Sequence, residues 1–99
     1  MDLGLAGRRA LISGGSRGIG LAAARALVAE GAHVALSARG EEVVDVAARL
    51  AEETGGTVIG VRADTHDDDS VRAAVAEVVE RLGGVDILVN TAAAPWHPA

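Results

Sequence analysis

The stretch LISGGSRGIGLA, residues 11–22, places four glycines within seven residues between an apolar run and an alanine-rich run. The apolar run, residues 9–13, predicts a β-strand, and from Gly18 onward apolar residues recur at helical spacing. A glycine-rich turn between a strand and a helix lets a ligand approach the backbone more closely than side chains would allow. The spacing is not that of a Walker loop, because no Gly-Lys-Ser/Thr follows.

The same alternation continues along the chain. Strands are predicted over residues 33–38, 57–62 and 85–89, and the helices between them end at Gly31, residues 55–56 and residues 83–84. One of the aspartates at positions 67–69 is expected to cap the third helix.

A β-α-β-α-β-α-β order with near-continuous apolar strands predicts a parallel sheet with right-handed crossovers. We therefore predict an α/β, Rossmann-like sheet of strand order 3-2-1-4 with helices on both faces, an incomplete doubly wound fold. Residues 1–94 would form the domain and residues 95–99 a tail. The crevice between strands one and four is where open α/β sheets bind ligands.

Composition excludes several classes of protein. The net charge of -5 and the scattered arginines argue against a nucleic-acid binder, and the absence of cysteine excludes disulfides and thiolate metal sites. No apolar run reaches the length of a membrane span, and no signal peptide is apparent. These features predict a soluble, cytoplasmic protein without a metal site.

The glycine turn would serve a dinucleotide in three ways. Gly14 and Gly15 permit the sharp turn, Gly18 lets the backbone approach a pyrophosphate, and Gly20 lets the helix pack against the sheet. The helix N-terminus adds unpaired N–H groups and positive partial charge.

These residues carry a family resemblance. The segment GRRALISGGSRGIGLAAARALVAEGAHV resembles the opening of the short-chain dehydrogenase/reductases, whose fingerprint is T-G-x-x-x-G-I-G, with Ser13 in place of the threonine. Asp64-Thr65 matches the position of a family aspartate that contacts adenine, and ILVNTAAA resembles the family's L-V-N-N-A-G. In that motif Asn90 is kept, while Thr91 and Ala93 replace the second asparagine and the glycine. The resemblance covers the chain to about residue 94.

The end of the second strand bears on the choice of cofactor. Enzymes that use NAD place an acidic residue there, whereas this sequence has Ala38 followed by Arg39. A guanidinium can hold a 2′-phosphate through two parallel hydrogen bonds. Arg17 and Ser16 in the turn are expected to approach the same phosphate. The sequence therefore predicts NADP(H) in preference to NAD(H).

The expected cofactor-binding residues lie at the carboxyl ends of the strands or in the glycine turn: Ser13, Gly14, Ser16, Arg17, Gly18, Ile19, Gly20, Arg39, Asp64, Thr65, Asn90 and Ala92.

The resemblance implies a catalytic Tyr-x-x-x-Lys pair and a serine, but these 99 residues contain neither tyrosine nor lysine. None of His33, His66 and His97 has a partner at catalytic or metal-ligand spacing. We expect the chain alone to be inactive. Four interpretations remain open: the cofactor-binding portion of an oxidoreductase, a non-catalytic NADP-binding module, an interaction protein, and, last, a different α/β binder such as a methyltransferase-like domain, which would want an acidic residue where this chain has Ala38. The fourth strand, which has no proline or lysine, is expected to self-associate or pair with another chain.

Overall fold

Four strands alternate with three helices in the computed structural model, which describes residues 4–14 and 18–91. The elements in chain order are β1 (Arg9–Ser13), α1 (Gly18–Ala29), β2 (His33–Ala38), α2 (Glu42–Thr54), β3 (Val58–Arg62), α3 (Asp68–Leu82) and β4 (Ile87–Asn90). Every predicted strand and helix is present. The fourth strand begins two residues later than predicted, at Ile87, and includes Asn90.

The strands form one parallel sheet in the order β3-β2-β1-β4, which confirms the predicted topology. In register, Ser13 of β1 lies opposite Ser37 of β2 and opposite Asn90 of β4. Three polar residues therefore form a row across the carboxyl ends of neighbouring strands. The two hydroxyls and the amide in this row border the crevice where β1 and β4 meet.

Two apolar layers cover the sheet, one on each face. On the first face, α1 and α2 pack over the strands through buried residues that include Ile12, Val28, Leu36 and Leu50. On the second face α3 is the one helix among the described residues, and the core there includes Leu11, Ala35, Val61, Ala74 and Val78. Adjacent residues of β1 thus enter opposite layers, as the alternation of side chains along a strand requires. The third helix lies on the opposite face from the first two, as predicted.

The loop before α3 shows how the acidic segment is used. Asp67 is the N-cap, and its Oδ1 accepts from the N–H groups of Asp69 at 3.0 Å and Ser70 at 3.2 Å. The extended backbone of Asp67 and the negative charge beside the helix N-terminus both favour this start. The cap therefore sets the residue at which α3 begins, in the segment after β3 that lies next to the candidate site.

At the opposite end of the sheet, Arg9 and Asp86 join β1 to the segment before β4. Arg9 donates from Nε to Oδ2 of Asp86 at 2.9 Å and from Nη2 to Oδ1 at 3.1 Å, and Nη1 donates to Gly83 O at 2.8 Å. The Arg9 guanidinium and backbone N–H lower the pKa of Asp86 to about 2. This bidentate pair therefore holds Asp86, the residue before β4, against the first residue of β1.

Asp86→Asn is therefore expected to destabilise the protein at neutral pH. Because the pKa of Asp86 is lowered by folding, its stabilising contribution is complete above about pH 4, the range of a free aspartate, and is lost as pH falls toward 2. Urea unfolding should show that the wild type has a larger free energy of unfolding than Asp86→Asn at neutral pH, and that this difference shrinks as pH falls from about 4 toward 2. Glu53→Gln, which removes the exposed Arg25–Glu53 pair at 2.8 Å, is the control and should change stability little. A gap that stays constant down to pH 2 would contradict this role of Asp86.

Candidate functional site

The glycine turn begins directly above the carboxyl end of β1. Gly14 has φ +81, and its N–H donates to Ser37 O of β2 at 2.7 Å. That left-handed conformation is strained for any residue with a Cβ, which explains a glycine here. Ser16 and Arg17 lie outside the described residues, so the predictions for them stay predictions.

The first turn of α1 is prepared for an anion. Gly18 has φ +60, and a Cβ built on it would meet no atom of the described residues within 4 Å apart from its chain neighbours and its own helix, so its Cβ position is open there. No acidic side chain stands in the first turn of α1, so the N–H groups and the helix dipole are not offset by a carboxylate there. Ile19 is 79% exposed, while Gly20 is buried. The arrangement suits a phosphate group placed over the turn.

A cavity of about 200 Å³ lies beside the turn, over the carboxyl ends of β1, β2 and β3. Its lining combines small, polar and cationic groups: Ser13, Gly14, Ser37, Ala38, Arg39, Ala63 and Thr65. Arg39 is exposed and, among residues 4–14 and 18–91, forms no salt bridge with an acidic side chain. The cavity therefore presents a guanidinium at its rim and hydroxyls within it.

A second cavity of about 270 Å³ opens toward α3 and β4. It shares Ser13, Ser37, Ala63 and Thr65 with the first cavity, so the two cavities are neighbours in one cleft. The rest of its lining is mainly apolar: Leu11, Val71, Ala74, Val75, Leu88 and Asn90. One end of the cleft thus suits an anion, and the other end suits an apolar ring.

The predicted residues of the later motifs fall into three groups. Thr65 lines both cavities and Asn90 lines the second. Asp64 stands at the same edge, but its Oδ1 accepts the N–H of His66 at 2.9 Å, and its own N–H donates to Ser70 Oγ at 2.9 Å. Ala92 lies outside the described residues.

Sequence reasoning missed Ser37, which lines both cavities and is the buried polar residue of the described core. A signal was present, because Ser37 is the one polar residue of β2 after His33, and the other four residues of that strand are apolar. In the register of the parallel strands β1 and β2, Ser37 lies opposite Ser13. A polar residue near the carboxyl end of an apolar parallel strand therefore indicates a candidate binding site.

Residues 4–14 and 18–91 contain no group of three or more acidic or histidine side chains able to hold a metal ion. His33 begins β2 at the amino edge of the sheet, far along the strand from the cleft. Within the same residues, no helix is long and apolar enough to cross a membrane.

The fold agrees with comparisons to known proteins. The family model for short chain dehydrogenase matches residues 8–98. The chain belongs to the short-chain dehydrogenase family. It corresponds to the NAD(P)-binding region of this family, whose members are oxidoreductases.

Individual relatives show how much of a family member this chain represents. It is 37% identical over 97 residues to hydroxysteroid dehydrogenase-like protein 2 of Mus musculus, covering 91% of this chain and 20% of the relative. It is 43% identical over 89 residues to sorbitol dehydrogenase of Cereibacter sphaeroides, covering 90% of this chain and 34% of the relative. The crystal structure of L-sorbose reductase from Gluconobacter frateurii, complexed with NADPH and L-sorbose, superposes with a TM-score of 0.91 at 40% identity. That superposition covers 100% of this chain and 38% of the reductase. The chain therefore spans between a fifth and two fifths of the length of these relatives.

Proposed function

We propose that this chain is the NADP(H)-binding portion of a short-chain dehydrogenase, with a preference for NADP(H) over NAD(H). The observation that carries the proposal is Arg39 at the rim of the cleft, directly after Ala38, which stands where NAD-binding folds use an acidic residue. A carboxylate there would repel a 2′-phosphate, whereas the guanidinium attracts it. The NADPH bound to the similar L-sorbose reductase supports the same choice.

The residues of the cleft fit the parts of such a cofactor. Backbone at Gly14 and Gly18 and the N-terminus of α1 would take the pyrophosphate, because the Cβ position of Gly18 is open. Arg39 would bind the 2′-phosphate, with Arg17 and Ser16 of the turn assisting. The end of the larger cavity that is lined by Ala63 and Thr65 offers a surface for the adenine ring.

When bound, the cofactor supplies or accepts a hydride at a carbonyl or hydroxyl carbon. The groups that deliver the matching proton in the family, a tyrosine and a lysine, do not occur in these 99 residues. We therefore propose that the residues of this chain bind and orient the cofactor, and that by themselves they do not turn it over. A non-catalytic NADP-binding module is the alternative, and it would show the same binding.

The experiment is a calorimetric titration of the purified chain with NADPH and with NADH. We expect NADPH to bind more tightly, because only NADPH offers a 2′-phosphate to Arg39. Equal affinities would overturn the cofactor preference and leave the binding function intact. No binding of either cofactor to folded protein would overturn the proposed function itself.

A second proposal concerns the edge formed by β4. Within the described residues β4 pairs only with β1, and Leu88 on its α3 face is 68% exposed. Leu88 lies on the face of the sheet that α3 covers, and α3 is the one described helix on that face. Val75 and Val79 of α3 are also exposed there. We propose that a second copy of this chain pairs with this edge and covers this apolar face.

Leu88→Asp is expected to shift the self-association equilibrium toward monomer, since a charge at the centre of the face opposes its burial. Sedimentation velocity over a range of concentrations measures the change. Val44→Asp, at a residue 50% exposed on α2, is the matched control and should leave the equilibrium unchanged. A wild-type chain that stays monomeric at all concentrations would contradict the proposal.

A further inference from the structure

The side chain of Thr91, the residue after β4, contacts Gly14, the first residue of the glycine turn. Thr91 follows β4 directly, and its N–H donates to Ser13 O at 2.9 Å, continuing the pairing of β4 with β1. Its hydroxyl reaches further, because Oγ1 lies 2.8 Å from Ser13 O and 3.3 Å from Gly14 O. One hydroxyl proton is therefore shared between the last carbonyl of the strand and the first carbonyl of the turn.

Gly14 is consequently held from both of the strands that flank β1. Its N–H donates to Ser37 O of β2 at 2.7 Å, and its carbonyl oxygen accepts from Thr91 beside β4. The residue between these two bonds has φ +81, a backbone conformation that the surrounding structure must maintain. Removing the bond on the β4 side would leave Gly14 restrained from the β2 side and by its chain neighbours.

We propose that Thr91 is a positioning residue: its hydroxyl fixes the start of the glycine turn in the orientation that receives a dinucleotide pyrophosphate. The inference rests on the proposed cofactor-binding function. It is specific to the hydroxyl, because the backbone N–H of Thr91 already satisfies Ser13 O. The proposal also assigns a structural role to Thr91, which replaces the second asparagine of the family's N-N-A-G pattern.

The test compares Thr91→Val, which keeps the shape of the side chain and removes the hydroxyl, with Thr91→Ser, which keeps the hydroxyl. Loss of one neutral hydrogen bond should weaken NADPH binding by roughly 2- to 12-fold in Thr91→Val, and Thr91→Ser should restore it. The matched control is Thr54→Val. Thr54 Oγ1 donates to Leu50 O at 2.7 Å at the end of α2, so this variant removes a similar bond away from the turn.

A second readout works without cofactor. Amide hydrogen exchange measured by NMR should show faster exchange of the Gly14 N–H in Thr91→Val, and unchanged exchange there in Thr54→Val and Thr91→Ser. If Thr91→Val does not fold, Thr91→Ala provides the same comparison.

The outcomes separate the two proposals. Weaker NADPH binding together with faster exchange at Gly14 supports the positioning role. Unchanged exchange at Gly14 in Thr91→Val overturns it, whatever happens to affinity. If even the wild-type chain binds no NADPH, the cofactor-binding proposal fails, and the exchange of Gly14 still decides whether Thr91 holds the turn.

Discussion

Replacing Arg39 with alanine is expected to weaken NADPH binding by roughly 10- to 150-fold and to change NADH binding little. Hydrogen bonds to charged groups contribute about 1.5–3 kcal/mol, which converts to that range of dissociation constants. Arg39 stands at the rim of the smaller cavity, and no acidic side chain of the described residues forms a salt bridge with it. The selectivity arises because NADH lacks the phosphate that the guanidinium would bind. Calorimetric titration of both cofactors measures the two losses separately.

The control for this prediction is Arg49→Ala. Arg49 lies on α2 beside Leu21 and Glu53, away from the cleft, and its removal changes the net charge by the same amount. It should leave both affinities nearly unchanged. Equal losses of NADPH and NADH in Arg39→Ala, or equal effects of the two arginine variants, would show that Arg39 does not select the cofactor.

Replacing Gly60 with alanine is expected to cause a large loss of stability. A Cβ at Gly60 would lie 2.5 Å from Val43 O and 2.8 Å from Val44 Cα, both backbone atoms at the start of α2. Backbone cannot move aside as a flexible side chain can, so α2 would have to lift from β3. Overpacking of this kind costs about 1–3 kcal/mol, and each kcal/mol lowers the melting temperature of a domain this size by about 4–8 °C. Thermal unfolding followed by circular dichroism measures the shift.

Gly40→Ala is the matched control, since a Cβ there would meet the carboxylate end of Glu42, a side chain that can rotate away. Its melting temperature should stay near that of the wild type. A Gly60→Ala protein as stable as Gly40→Ala would mean that the close approach of α2 to β3 is not what requires glycine at position 60.

The strands, helices and their order could be predicted because the sequence marks them locally. Apolar runs such as residues 9–13 end at glycines, helical spacing begins at Gly18, and Gly55 and Gly83 adopt the left-handed conformation at the ends of α2 and α3. The order 3-2-1-4 then follows from the length and handedness of the connections. Arg39 could be placed near the glycine turn for the same reason, because both follow strands that are neighbours.

Contacts that depend on side-chain direction could not be predicted in this way. The pairing of Arg9 with Asp86 joins residues 77 positions apart, and no local pattern announces it. The bond from Thr91 to Gly14 spans the same separation and requires the register of β4 against β1 to be known. The roles assigned to the cofactor-binding residues, including those of the turn at positions 15–17, stay predictions that binding measurements must test.

The central claim is that the turn between β1 and α1 holds the pyrophosphate of a dinucleotide against the N-terminus of α1. Phosphorus NMR of NADPH tests it most directly, because the pyrophosphate and the 2′-phosphate give separate signals. On addition of the folded chain, we predict that the pyrophosphate signals shift or broaden, and that they still do so, at higher concentration, with Arg39→Ala. Pyrophosphate signals that remain unchanged with folded protein at millimolar cofactor would contradict the claim.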